Sequence, residues 1–200
     1  MSPILQTLAN GSAYGYRTLA GAAAAPAFES IASAVGSGQT SVTFSSIPST
    51  YKHLQIRIIA RDTSGNGGGS GALRMRFNGD TSSVYDRHVL SGNGSSPSAG
   101  RDINSTDFSL ESLMMGGGTA ANVYGVGILD FIDYASTTKN KTFRLFNGNN
   151  TNGAWGNEVI RMQSGCWRNT SAITSIELYI TNGSGYETGT RISLYGIKGD

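Results

Sequence analysis

Two histidines, one cysteine and a thin scatter of carboxylates are the residues here with the chemistry for catalysis or metal binding. Their spacing argues against each use. His53 and His88 are too few for a histidine-based metal centre. Cys166, alone, excludes an internal disulfide and a cysteine-rich zinc site. A Ser/His/Asp triad can be drawn on paper around His88, but no nucleophile turn of the Gly-x-Ser-x-Gly type joins a strand to a helix. The serine-rich stretch Gly94-Ser95-Ser96 has neither the pattern nor the context. Both histidines read as strand residues, His53 at a start and His88 inside. Asp130 and Asp133 are the nearest approach to a paired carboxylate, but three positions apart on a strand they point to opposite faces. They read as strand-end or turn residues. Asp80, after Asn78-Gly79, reads as part of a turn. Gly125-Val126-Gly127 lacks the third glycine and the helix of a dinucleotide fingerprint, and reads as small residues where strands pack closely. The glycines around Asn66 lack the Lys-Ser/Thr of a phosphate loop. No Asp-x-Asx-x-Asx-Gly stretch is present, which leaves room only for a single calcium ion between loops. No catalytic residue, metal ligand set or cofactor is expected.

Binding is better served than catalysis. Aromatic faces stack on sugar rings and amides read hydroxyls, and the Asn-rich stretch 147–152 lies close to Trp155. Trp155, Asn149, Asn150 and Tyr186 are the candidate sugar contacts, whereas Trp167 sits in a strand pattern and reads as core. Nucleic acid is not expected. Lys plus Arg number 15 against 13 for Asp plus Glu, a net charge of +2, far from a basic footprint. Arg57, Arg61, Arg74 and Arg76 could form a stripe on adjacent strands, and with nearby tyrosines that reads as a protein interface.

The elements that must carry these residues are strands. Charged residues make up 14% of the chain, and 28 glycines contrast with 4 prolines; Ser, Thr, Asn and Gly supply the polarity. Apolar residues alternate with polar ones at Val42/Phe44, Leu54/Ile56/Ile58/Ala60, Leu73/Met75/Phe77, Ile176/Leu178/Ile180 and Ile192/Leu194. A period of two puts one face on a core and the other toward water or a partner. Ile59 breaks the alternation. Val123 to Ile132 is more continuously apolar than the other runs, as in a strand covered on both faces. Gly- and Asn-rich turns separate the runs. Nine to eleven short strands are expected, an all-β sandwich or barrel. The one weak helical stretch after residue 26 is Phe108 to Met115. No apolar run is long enough for a membrane helix. The N-terminal stretch, with no basic residue before Arg17, lacks the pattern of a signal peptide.

Residues 1–26 stand apart. They are rich in Ala, Gly and Leu, carry Arg17 as their only charge and end at Pro26. Two parts are expected: an anchoring arm over 1–26 and a β-sandwich domain over 27–200. The arm would hold a neighbouring chain through Leu5, Leu8, Tyr14, Tyr16, Arg17 and Leu19.

From Phe28 the sequence resembles a group of small tailed-bacteriophage virion proteins. Four stretches carry the resemblance: Phe28-Glu29-Ser30-Ile31-Ala32; the block from Val42 through Ile47-Pro48-Ser49-Thr50-Tyr51 to His53-Leu54-Gln55-Ile56-Arg57; Arg76-Phe77-Asn78-Gly79-Asp80; and the closing Leu194-Tyr195-Gly196-Ile197-Lys198. The lead-in Asn10 to Tyr16 is similar too, so the resemblance covers nearly the whole chain. It implies an antiparallel, jelly-roll-like β-sandwich with an extended N-terminal arm. It also implies a non-enzymatic structural protein on the virion exterior, as head decoration (cement) or tail appendage. Its partners would be capsid or tail proteins and copies of itself. The alternative is an adhesin domain at a fibre tip, contacting a host-surface glycan.

Overall fold

The computed structural model describes residues 27–70, 72–151 and 158–199, which form fourteen strands and no helix. In chain order these are β1 (Phe28–Val35), β2 (Ser41–Phe44), β3 (His53–Ala60), β4 (Gly69–Ser70), β5 (Leu73–Phe77), β6 (Tyr85–Gly92) and β7 (Pro97–Ser105). Then follow β8 (Phe108–Ser109), β9 (Met114–Met115), β10 (Gly125–Ile132), β11 (Lys141–Asn149), β12 (Val159–Trp167), β13 (Ile176–Ile180) and β14 (Arg191–Ile197). The expected arm over residues 1–26, with all six of its contact residues, lies outside the described residues.

Eight strands form one sheet, ordered β1-β14-β3-β10-β11-β12-β6-β7, and four form the other, ordered β2-β13-β5-β8. β4 and β9 make a separate two-stranded ladder. All the strand pairs are antiparallel. The pairs nest from the ends of the chain inward: β1 with β14, β2 with β13, β3 with β10, β5 with β8. Such nesting is that of a long hairpin rolled into two sheets, the jelly-roll arrangement. β11, β12, β6 and β7 widen one sheet beyond it.

The period-two residues lie where their alternation puts them. Leu54, Ile56, Ile58 and Ala60 of β3, Leu73, Met75 and Phe77 of β5, and Ile176 and Leu178 of β13 are buried between the sheets. An aromatic group fills the centre: the Phe77 ring lies 5.6 Å from Phe108, 5.7 Å from Phe131, 5.6 Å from Trp167 and 6.5 Å from Tyr85. Trp167 is core, and its indole N–H donates to the Asp80 carboxylate at 2.8 Å, which satisfies the one polar atom such a ring brings inside. Asn78 and Gly79 both adopt positive φ, and the Asp80 N–H donates to the Phe77 carbonyl, so the Asn-Gly pair closes the turn after β5. Gly125 and Gly127 face inward, where a Cβ would come within 2.0 Å of the Leu113 carbonyl oxygen and 2.9 Å of its side chain. Close packing, not a nucleotide, explains that pair.

Three expectations need correction. Phe108 to Met115 is not helical: it contributes β8 and β9, joined by a turn. Its packing against β5 decides this, with the Leu110 N–H donating to the Leu73 carbonyl. The 123–132 stretch is not covered on both faces. In β10 every second residue is exposed, including Val126, Ile128 and Ile132. The arginine stripe does not form, because Arg57 lies on the large sheet and Arg74 and Arg76 on the small one. Arg74 and Arg76 pair with Asp107 and Glu177, and Arg61 is buried.

Where the widened sheet outruns its partner, ion pairs replace apolar core. Arg87 of β6, only 5% exposed, pairs with Asp102 at 2.6 Å and Glu111 at 2.5 Å, and donates to the Ser109 carbonyl at 3.0 Å. Arg161 also pairs with Glu111. Burial pushes the Glu111 carboxyl up, but hydrogen bonds and charge from Arg87 and Arg161 outweigh it and hold the group below its ordinary value of 4.5. A carboxylate depressed in the folded state stabilises above its unfolded pKa, and the contribution is lost as pH falls through the depressed value. Thermal melts from neutral to strongly acidic pH should therefore show Tm falling below about pH 4.5 less steeply in Glu111→Gln than in the unaltered protein. Parallel acid limbs would contradict this assignment.

Candidate functional site

The outward face of the eight-stranded sheet is the largest unusual surface on the molecule. Its side chains follow from register. One row across the sheet reads Arg57, Ile128, Phe146, Met162, Leu90 and Ala99. The next reads Ile59, Val126, Gly148, Ile160, Gly92 and Pro97. A third, on the other side of the first, reads Gln55, Asp130, Arg144, Ser164, His88 and Arg101. Two apolar rows thus lie against one polar row. Ile59, Leu90, Val126, Ile128, Phe146, Ile160 and Met162 are each 40–60% exposed. Seven half-exposed side chains at roughly 80–100 Å² each leave about 560–700 Å² outside, at or above the top of the roughly 300–600 Å² of the largest apolar patch on a typical monomer. A depression of about 570 Å³ runs between the rows, lined by His88, Leu90, Asp130, Arg144, Phe146 and Met162.

The polar row is sparsely bonded. Asp130 accepts from the Gln55 amide at 2.8 Å. Arg144, directly opposite Asp130 on β11, makes no hydrogen bond or ion pair among the described residues, nor do Arg101 and His88. At the β1 edge Phe28, Tyr195 and Arg57 form a small stack, with the guanidinium 5.0 and 5.2 Å from the two ring centres.

The loops gather at one end of the sandwich. Register brings Ala60, Gly125, Gly148, Ile160 and Gly92 to the same end of the sheet, so the turns after β3 and β6 and the one before β10 meet there. Arg61 organises this end. It donates to the carbonyls of Gly117, Thr119, Ala120 and Val123 at 2.6–3.1 Å and pairs with Glu187 at 2.6 Å. A mixed cleft of about 750 Å³ opens near it, between Asn93, Asn122, Tyr124, Asn150 and Ile160.

Two of the four sugar-contact candidates, Asn149 and Asn150, line this cleft. The Asn149 amide also joins loops, donating to the Ser112 carbonyl and accepting from the Val159 N–H. Trp155 lies outside the described residues. Tyr186 is a correction: it is fully buried, and its hydroxyl finds no partner among the described residues. Its backbone bridges Gln39 and Gly38, which draws the ring into the core and away from any ligand. Sequence reasoning missed the apolar outer face, although Ile59 out of alternation and the largely apolar run to Ile132 were its signal. Among the described residues no cluster of His, Cys, Asp and Glu could hold a metal ion.

No family model matches this chain, and a search of curated proteins finds no match.

Proposed function

We propose that the protein is a non-enzymatic structural component of the exterior of a tailed-phage virion, packed against neighbouring virion proteins. The observation that carries this reading is the apolar outer face of the large sheet, too large for a surface meant to remain in water. A jelly-roll sandwich with an open face suits a subunit that assembles in many copies. Its low charge avoids the repulsion that crowding would otherwise impose. Residues 1–26 would act as the anchoring arm. The resemblance of the Phe28-to-Arg57 block to virion proteins supports a place on the virion.

Absolute quantification by mass spectrometry of purified particles, against the major capsid protein, tests this. The chain is expected in the particle, and deletion of residues 1–26 should reduce its occupancy severely. Its absence from particles would overturn the reading, and full occupancy of the truncated chain would remove the arm from it. The copy number also separates the variants. Hundreds of copies mean head decoration, and a few mean a tail or fibre component. In that second case the cleft beside Asn150 and Tyr124 becomes the place to look for a host-surface glycan.

A further inference from the structure

We infer that the outer face of the large sheet seats a second copy of this chain, with Ile128 and Phe146 at its centre. The virion reading says that neighbours exist, whereas the present inference names the surface and its occupant and does not depend on where the protein resides. Three observations favour a second copy over another partner.

The first is size. The apolar rows and their polar margin together approach the roughly 800 Å² per partner of a standard interface. One face laid on its like would therefore bury a stable area. The second is anatomy. The centre is Ile128, Phe146, Met162 and Leu90, side by side on four adjacent strands, with charge confined to the margin. An apolar core, rich in Phe and Met, with a polar rim is the composition of an interface. The sheet is also fully paired across this region, so side chains, not free backbone, make the contact.

The third is charge. In a symmetric contact residue i of one copy meets j of the other while j meets i. A surface fits itself only if it carries both signs close together. Arg144 and Asp130 are opposite one another on β11 and β10, at the margin of the apolar rows. Arg144 has no partner among the described residues, and Asp130 has one neutral donor. Crossed over, Arg144 of each copy can meet Asp130 of the other, and two unmatched charges become two pairs. A purely basic or acidic margin would instead have pointed to a partner of opposite charge.

Sedimentation velocity on the full chain, from micromolar to near-millimolar concentration, tests the inference. The unaltered protein should sediment as a dimer or larger assembly. Ile128→Glu with Phe146→Glu should weaken self-association by at least about 30-fold, as expected for central interface residues. Both side chains point outward, so the melting temperature of this variant should stay close to that of the parent and serve as the folding control. A second series avoids the apolar residues altogether. Asp130→Arg should weaken association by about tenfold, and adding Arg144→Asp should restore it by exchanging the charges. A monomer across the whole concentration range overturns the inference. So does an assembly indifferent to the glutamates, which would place the contact elsewhere. A monomer that begins to self-associate once residues 1–26 are deleted would assign the face to that segment, and would overturn the inference equally. A charge exchange that fails to restore association removes the proposed pairing.

Discussion

Arg61→Met should lower the stability of the protein by about 3–5 kcal/mol, the range for removing one partner of a buried, hydrogen-bonded charge. Arg61 follows the last residue of β3, and its guanidinium is only 6% exposed. It is the common donor for four carbonyls of the 117–123 loop and a partner of Glu187. Methionine fills a similar volume but donates nothing. The carbonyls would face an apolar thioether, and each group left buried without a partner costs about 1–3 kcal/mol. Glu187 has access to water, so its share of the loss is small. For a domain of this size, each kcal/mol shifts the melting temperature by roughly 2–4 °C. A fall of about 10 °C is therefore expected. Arg61→Lys should recover only a minor part, because one ammonium cannot span carbonyls that a planar fork reaches in two directions. Should Arg61→Met melt within a degree or two of the parent, the 117–123 loop must be held by something other than this side chain.

Phe77→Ala is the other large effect, again about 3–5 kcal/mol. Phe77 has no exposed surface and touches the rings of both sheets: Phe108 on the small one, and Phe131, Tyr85 and Trp167 on the large one. Its removal leaves a cavity bordered by four aromatic side chains that are themselves locked. Trp167 cannot swing into the space without giving up its bond to Asp80. The loss should thus appear both in the thermal midpoint and as a red shift of tryptophan fluorescence. Phe77→Leu, which keeps most of the volume, should give a smaller change in both. A Phe77→Ala protein with unaltered midpoint would mean that the core collapses around the gap, contrary to the dense ring packing seen here.

Much of the sandwich was legible along the chain. Wherever polar and apolar residues alternate strictly, as in β5 and β13, the inward set is the set expected. Where a strand carries apolar residues on both faces, periodicity fails. In β10 and β11 the inner face is marked by Leu129, Phe131, Phe143 and Leu145, and the outer by Val126, Ile128 and Phe146. An apolar run reads the same whether a second layer or a second molecule is to cover it. The apolar outer face was misread for that reason. Tyr186 was misplaced by a different mechanism. It lies in a Gly- and Ser-rich stretch that reads as surface loop, yet backbone pairing to Gln39 and Gly38 pulls it inside.

The chain by itself determined the all-β class, the turn at Asn78-Gly79, the buried place of Trp167 and the poverty of catalytic groups. These depend on residue type and on spacing over a few positions, and local sterics and the two-residue repeat suffice. Tertiary structure alone decided which strands lie side by side. That choice separated Arg57 from Arg74 and Arg76, turned Arg61 inward to organise the loop end, and lined Ile128, Phe146, Met162 and Leu90 up across four strands. Those four residues are scattered over more than seventy positions of sequence. Only long-range pairing, which binary patterning does not encode, brings them onto one face.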